Sequence, residues 1–173
     1  GLSVGFKLPE GFALSKQQPP EHGTILQLAR FELPFTTPTD KRHPERLALI
    51  QIDQSPLLDA AAAPPLPKET IPYVAGSGAE DEETAQAIAS GKGLLAGELE
   101  IGGAKAPILR QPGAQSARLS VRIEQGGKQR TISVSVSAAK TYPSIMGDQK
   151  AEACIADFDR VALDVIKTIT STN

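Results

Sequence analysis

The chain has one cysteine, Cys154, two histidines, His22 and His43, and no tryptophan. A single thiol cannot form an internal disulfide, and one cysteine with two histidines leaves no thiolate or multi-histidine set for zinc. Aromatic residues make up 4% of the chain, too few for the stacking platforms that hold single strands or sugars. No apolar run approaches the roughly 20 residues that a helix needs to cross a bilayer. Nor is there an excess of one charge: 18 basic against 20 acidic residues leave a formal net charge of −2, which argues against nucleic acid as a partner. What remains is the material of a conventional core. The 173 residues are 40% hydrophobic and 22% charged. That balance excludes disordered, collagen-like and coiled-coil classes, and the length suits one domain over residues 1–173.

The signatures of common chemistry are also missing. A serine nucleophile needs a Gly-x-Ser-x-Gly elbow and a histidine base, whereas Gly76-Ser77-Gly78 is a fragment of that motif in a flexible run. No glycine-rich phosphate loop follows a strand, so no nucleotide cofactor is expected. The acidic run Glu80-Asp81-Glu82-Glu83 lacks the alternating spacing and central glycine of a calcium loop. It suits the first turn of a helix, where the dipole favours acids. Cys154 falls on an apolar helical stripe and reads as a small buried hydrophobe rather than a reactive thiol. We therefore expect no metal, no cofactor and no catalytic residue. The alternative is a small hydrolase whose site is assembled from distant residues around His22 or His43.

Local patterns outline the architecture. Ser3 to Leu8 and Phe12 to Leu14 read as two short strands around the turn Pro9-Glu10-Gly11. Ile25 to Leu33 and Leu47 to Ile52 are apolar on both parities, the mark of interior strands covered on two sides. Residues 56–79, with Ala60 to Pro67 reading AAAAPPLP, form a Pro/Ala-rich loop insertion. Glu80 to Ser90 is a short helix, with Ser77 a candidate cap and Gly91 its stop. Two Gly-Gly hairpins follow. The first places Ile101 opposite Ala104 and Glu100 opposite Lys105; the second pairs Val121 with Ile132, Leu119 with Val134, Arg122 with Thr131 and Ser120 with Ser133. Apolar meets apolar and polar meets polar along the second ladder, which specifies its register. From about Gln149 to Thr170, Ala151, Cys154, Ile155, Phe158, Val161, Ala162, Val165, Ile166 and Ile169 recur at helical spacing, with Glu152, Asp159, Asp164 and Lys167 elsewhere. Asp148 is the candidate N-cap of this helix. The sum is an α+β fold: a mainly antiparallel sheet of about six to eight strands, packed by a long C-terminal helix and a shorter middle one.

Charge is uneven. Residues 1–86 carry 7 basic and 12 acidic groups, and residues 87–173 carry 11 and 8. Between 105 and 140, Lys105, Arg110, Arg118, Arg122, Lys128, Arg130 and Lys140 meet one acid, Glu124. The hairpin register puts Arg118, Ser120, Arg122, Thr131, Ser133 and Ser135 on the face opposite Leu119, Val121, Ile132 and Val134. Arg118, Arg122 and Arg130 are the candidate surface for an anionic protein partner, read through forked hydrogen bonds. The bland account is a solvated sheet face, with the short helix at 80–90 over part of it.

The segment Phe6-Lys7-Leu8-Pro9-Glu10-Gly11-Phe12 and the closing stretch Phe158-Asp159-Arg160-Val161-Ala162-Leu163-Asp164-Val165-Ile166 carry a resemblance. With the order of elements, they resemble the PsbP-like group, which includes the Ran-binding Mog proteins and several bacterial envelope lipoproteins. The tryptophan often found after the first turn in that group is absent here, and the insertion at 56–79 is unusual for it. The resemblance implies a sheet-plus-helix sandwich that serves as a non-enzymatic binding or assembly module of the cell envelope. It carries over no functional residue, because the fold has no shared catalytic motif. Together with an N-terminus that reads as processed, it sets the expectation of a periplasmic or secreted protein whose signal peptide has been removed.

Overall fold

In the computed structural model, the described residues are 3–7, 13–17, 27–32, 47–73, 82–112, 116–138 and 158–172. Eleven strands are assigned among them: β1 (Ser3–Gly5), β2 (Ala13–Gln17), β3 (Gln27–Glu32), β4 (Leu47–Gln54), β5 (Leu58–Asp59), β6 (Thr70–Pro72), β7 (Gly93–Ile101), β8 (Ala104–Arg110), β9 (Ser116–Gln125), β10 (Lys128–Ala138) and β11 (Thr170–Thr172). Helix α1 covers Glu82–Ala89, and α2 covers residues 158–166. The chain is α+β with a mostly antiparallel sheet. Nine strands join in the order β2-β3-β4-β10-β9-β8-β7-β6, with β5 alongside β10; β1 and β11 make a separate pair. Among the described residues the one parallel neighbour pair is β6 with β7, with α1 between them in the chain.

The central hairpins form as their side-chain pattern requires. Ile132 faces Val121, Val134 faces Leu119, Thr131 faces Arg122 and Ser133 faces Ser120. Gly126 and Gly127 have φ of 59° and 73°, values that a right-twisted two-residue turn demands and that side chains with a Cβ resist. In the β7–β8 hairpin Glu100 faces Lys105 as expected, but the Lys105 ammonium leans diagonally to Glu98, at 3.5 Å. Both are exposed, so the pair adds little.

One face of the sheet is the core. Ile50 and Ile52 of β4, Ile108 of β8, Leu119, Val121 and Ile123 of β9, and Ile132, Val134 and Val136 of β10 are buried there with Phe158, Val161, Ala162, Val165 and Ile166 of α2. The apolar stripe of α2 thus packs where its spacing directs it.

Three expectations change. The apolar spacing predicts a C-terminal helix to about Thr170, but helical structure stops at 166. Thr168 turns back through its hydroxyl to the Val165 carbonyl (2.7 Å), and β11 follows. The β-branched run Thr168, Ile169, Thr170 favours extended backbone, and β1 supplies the pairing partner, Val4 against Ser171. The start of that helix, with Asp148 and Cys154, lies outside the described residues. Second, the strand read from Ser3 to Leu8 is paired only over Ser3–Gly5; β1 joins β11, and β2 joins β3. Third, the Pro/Ala-rich stretch is not merely a loop.

That stretch is a strap tied into the sheet at both ends. After β4, the Ser55 amide donates to Thr131 O (2.9 Å), while the Ser55 hydroxyl accepts from the Thr131 amide (2.9 Å). The register then slips by one residue across Pro56, so that β5 sets Leu58 against Gln129 and Asp59 against Lys128. A proline, which has no amide hydrogen, fits at such a bulge. A short 3₁₀ turn over Ala60–Ala62 follows, and the chain rejoins the sheet on its far side as β6 beside β7. Helix α1 closes with a Schellman arrangement, Lys92 N donating to Ala87 O (3.0 Å) and Gly91 N to Ile88 O (2.9 Å), with Gly91 at φ 86°. None of its residues is buried.

Candidate interaction surface

The face opposite the core is built from the outward parities of β4, β9 and β10. Register places Gln51 and Asp53 beside Ser135 and Ser133, and these beside Arg118 and Ser120. Arg118 is half exposed, and its Nη2 stands 3.9 Å from Asp53 Oδ2. The Gln51 amide nitrogen donates to both oxygens of the same carboxylate, at 3.2 and 3.1 Å. Asp53 thus lies near Arg118 without burying it, and the Arg118 side chain stays half exposed.

Arg122 has a different task. Its Nη2 donates to Pro64 O at 2.5 Å, tying the strap to the sheet. Beneath the strap, Arg122 Nε and the side-chain oxygen of Gln129, a residue 2% exposed, are buried without a partner among the described residues. The strap, rather than the helix at 80–90, thus covers part of this face. Arg122→Ala removes a charged hydrogen bond but also a buried orphan donor, so the net loss of stability is about 1 kcal/mol. The local effect is larger: hydrogen exchange at the Ala60 and Ala63 amides, which donate to Gly127 O and Ala60 O, accelerates while that of β9 and β10 stays slow.

Arg130 does not share this surface. It faces Ile123 across the ladder and so sits on the core side, where its guanidinium meets the side-chain oxygen of buried Gln54, Nε at 2.9 Å. The remaining basic run disperses as well. Lys128 pairs with Asp59 at 2.5 Å, and Lys105 with Glu98.

Arg110 is the largest departure. It lies in the core row of the sheet between Leu94 and Leu119. Arg110 Nε donates to Asp159 Oδ1 at 2.9 Å, and both side chains are 2% exposed. Asp159, expected on the polar side of the C-terminal helix, is instead turned into the core. Its other oxygen accepts from the Tyr73 hydroxyl, and the Arg110 guanidinium carbon stands 4.6 Å from the centre of the Tyr73 ring. Arg110 Nη1 also donates to the Gln111 carbonyl, at 3.1 Å. Three distant segments, the end of β6, the end of β8 and the first turn of α2, meet in this buried cluster. Its hydrogen bonds are directed inward, so its chemistry is that of a clasp.

A cavity of about 690 Å³ opens between β6 and α1, lined by Ile71, Pro72, Thr84, Ala87 and Lys92 among others. Lys92 is held there by Glu69, at 3.0 Å. His22 and His43, the residues of the hydrolase alternative, lie outside the described residues, as do Ser77 and Lys140. Glu82 and Glu83 occupy the first turn of α1. Among the described residues no three His, Cys, Asp or Glu side chains are grouped to hold a metal ion, and no helix is long and apolar enough to cross a membrane. Comparison of the chain with protein-family models and with curated proteins returned no match.

Proposed function

We propose that the protein is a non-enzymatic binding or assembly module of the cell envelope, with a PsbP-like sandwich, that receives an anionic protein partner on the sheet face around Arg118. The observation that carries this reading is the open part of that face. There the half-exposed Arg118 guanidinium, 3.9 Å from Asp53, stands beside the partly exposed Ser120 and Ser135 on the paired central strands, with Ser133 buried in the same row. A forked donor held on paired strands suits a partner's carboxylate. The resemblance in Phe6 to Phe12 and Phe158 to Ile166 supports both the sandwich and the envelope setting. The packing of α2 on one face of an antiparallel sheet agrees with it.

Arg118→Glu tests the reading. The charge is exposed, so stability changes by about 0–1 kcal/mol. Recovery of a partner from an envelope extract by the immobilised protein falls with the substitution, and the wild-type interaction weakens as salt is raised. Recovery that is indifferent to both the substitution and salt refutes it.

A further inference from the structure

The strap presents a second surface, independent of Arg118. We propose that residues 63–68 are a preformed polyproline II ligand, displayed for a partner domain whose groove is lined with aromatic rings. The backbone leaves this segment little choice. Ala63 has φ −70° and ψ 143°, the values of a polyproline II helix. Pro64, Pro65 and Pro67 have φ locked near that value by their rings. Ala63, Pro64 and Leu66 each precede a proline, which keeps them out of the α region.

The segment is also held in place. Pro64 O accepts from Arg122 Nη2, and Pro67 packs so closely on Gly93 that a Cβ there would stand 2.9 Å from its ring. Just beyond, the Gly93 amide donates to Glu69 O at 2.9 Å. With both ends fixed, much of the ordering cost of docking is already met by folding, which favours affinity.

Its outer side is apolar and uncovered. Pro64 and Pro65 are exposed, and the large apolar side chains exposed among the described residues, Leu57, Leu58 and Leu66, all belong to the strap. The absence of amide hydrogens at 64, 65 and 67 denies this run the regular ladder that a second copy's strand would need. One following lysine, exposed Lys68, is too little charge for attachment to an anionic lipid surface. A groove of aromatic rings that grips successive prolines, with a carboxylate at its rim for Lys68, matches all of these features.

The test uses the absence of tryptophan from this chain. The intact protein is titrated into a purified WW domain and, separately, into an SH3 domain, each followed by the fluorescence of its own groove tryptophan. A saturable change with either domain is expected. It should weaken about tenfold or more in the Pro65→Ala, Leu66→Ala double variant, the scale of losing an anchoring contact. Circular dichroism of that variant should match the wild type. A response from neither domain overturns the proposal, as does one the double variant retains in full. So does binding by a free peptide of residues 61–69 that the folded protein fails to reproduce, because it would mean that the edge turned to the sheet is the one read.

Discussion

Asp159→Ala is expected to cost about 3–5 kcal/mol, because it leaves the Arg110 guanidinium charged, buried and without its carboxylate. The same change removes the carboxylate to which the Tyr73 hydroxyl donates. Against a total stability on the order of 5–15 kcal/mol, the loss is enough to bring the protein near its unfolding threshold. Urea unfolding read by circular dichroism measures it. The informative comparison is the triple variant Arg110→Met, Asp159→Leu, Tyr73→Phe, which removes every charge and donor in the cluster while keeping its bulk. That variant should unfold near the wild-type midpoint or above it, since a buried pair replaced by packed apolar groups is often neutral or stabilising. If Asp159→Ala is mild, water reaches Arg110 and the clasp is not dry. If the triple variant is as poor as the single one, the cluster specifies how β6, β8 and α2 meet, beyond the charge it hides.

Phe158→Ala is the second large effect, about 3–5 kcal/mol. Phe158 is 3% exposed in the first described turn of α2 and packs in the same cluster as the β9 and β10 residues. Truncation removes a ring from between helix and sheet, and neither element can close the gap without breaking its own hydrogen bonds. Asp164→Ala on the exposed side of the same helix should change stability by less than about 0.5 kcal/mol. The contrast between the two variants, measured by urea unfolding at constant denaturant slope, reports how far stability depends on the docked face of α2. Equal effects would mean that the helix contributes through its own backbone rather than through burial.

What the sequence determined by itself is local and periodic. Alternation along Leu119 to Ile123 and Ile132 to Val136, closed by Gly126-Gly127, dictates which residues face each other and which face the core, since a slip of one residue would expose the whole apolar set. The stripe Phe158, Val161, Ala162, Val165, Ile166 likewise marks the buried side of α2. The position of Arg118 and Arg122 on the opposite face follows from the same register; Arg130, grouped with them by charge, is set on the core side by its pairing with Ile123.

Only the tertiary structure decided the rest, because it depends on residues far apart in the chain. Arg110 read as part of a basic surface and Asp159 as part of a solvated helix side. They are 49 positions apart, each polar by composition, and neither alone signals that the other cancels its burial. The strap shows the same limit. Its Pro/Ala composition reads as a loop, yet β5 and β6 are held by partners on β10 and β7, and backbone pairing of two or three residues leaves no periodic trace in side chains. The last strand was hidden for a related reason. Ile169 continues the helical stripe in spacing, and it is the presence of β1, more than 160 residues earlier in the chain, that draws Thr170 to Thr172 into extended pairing.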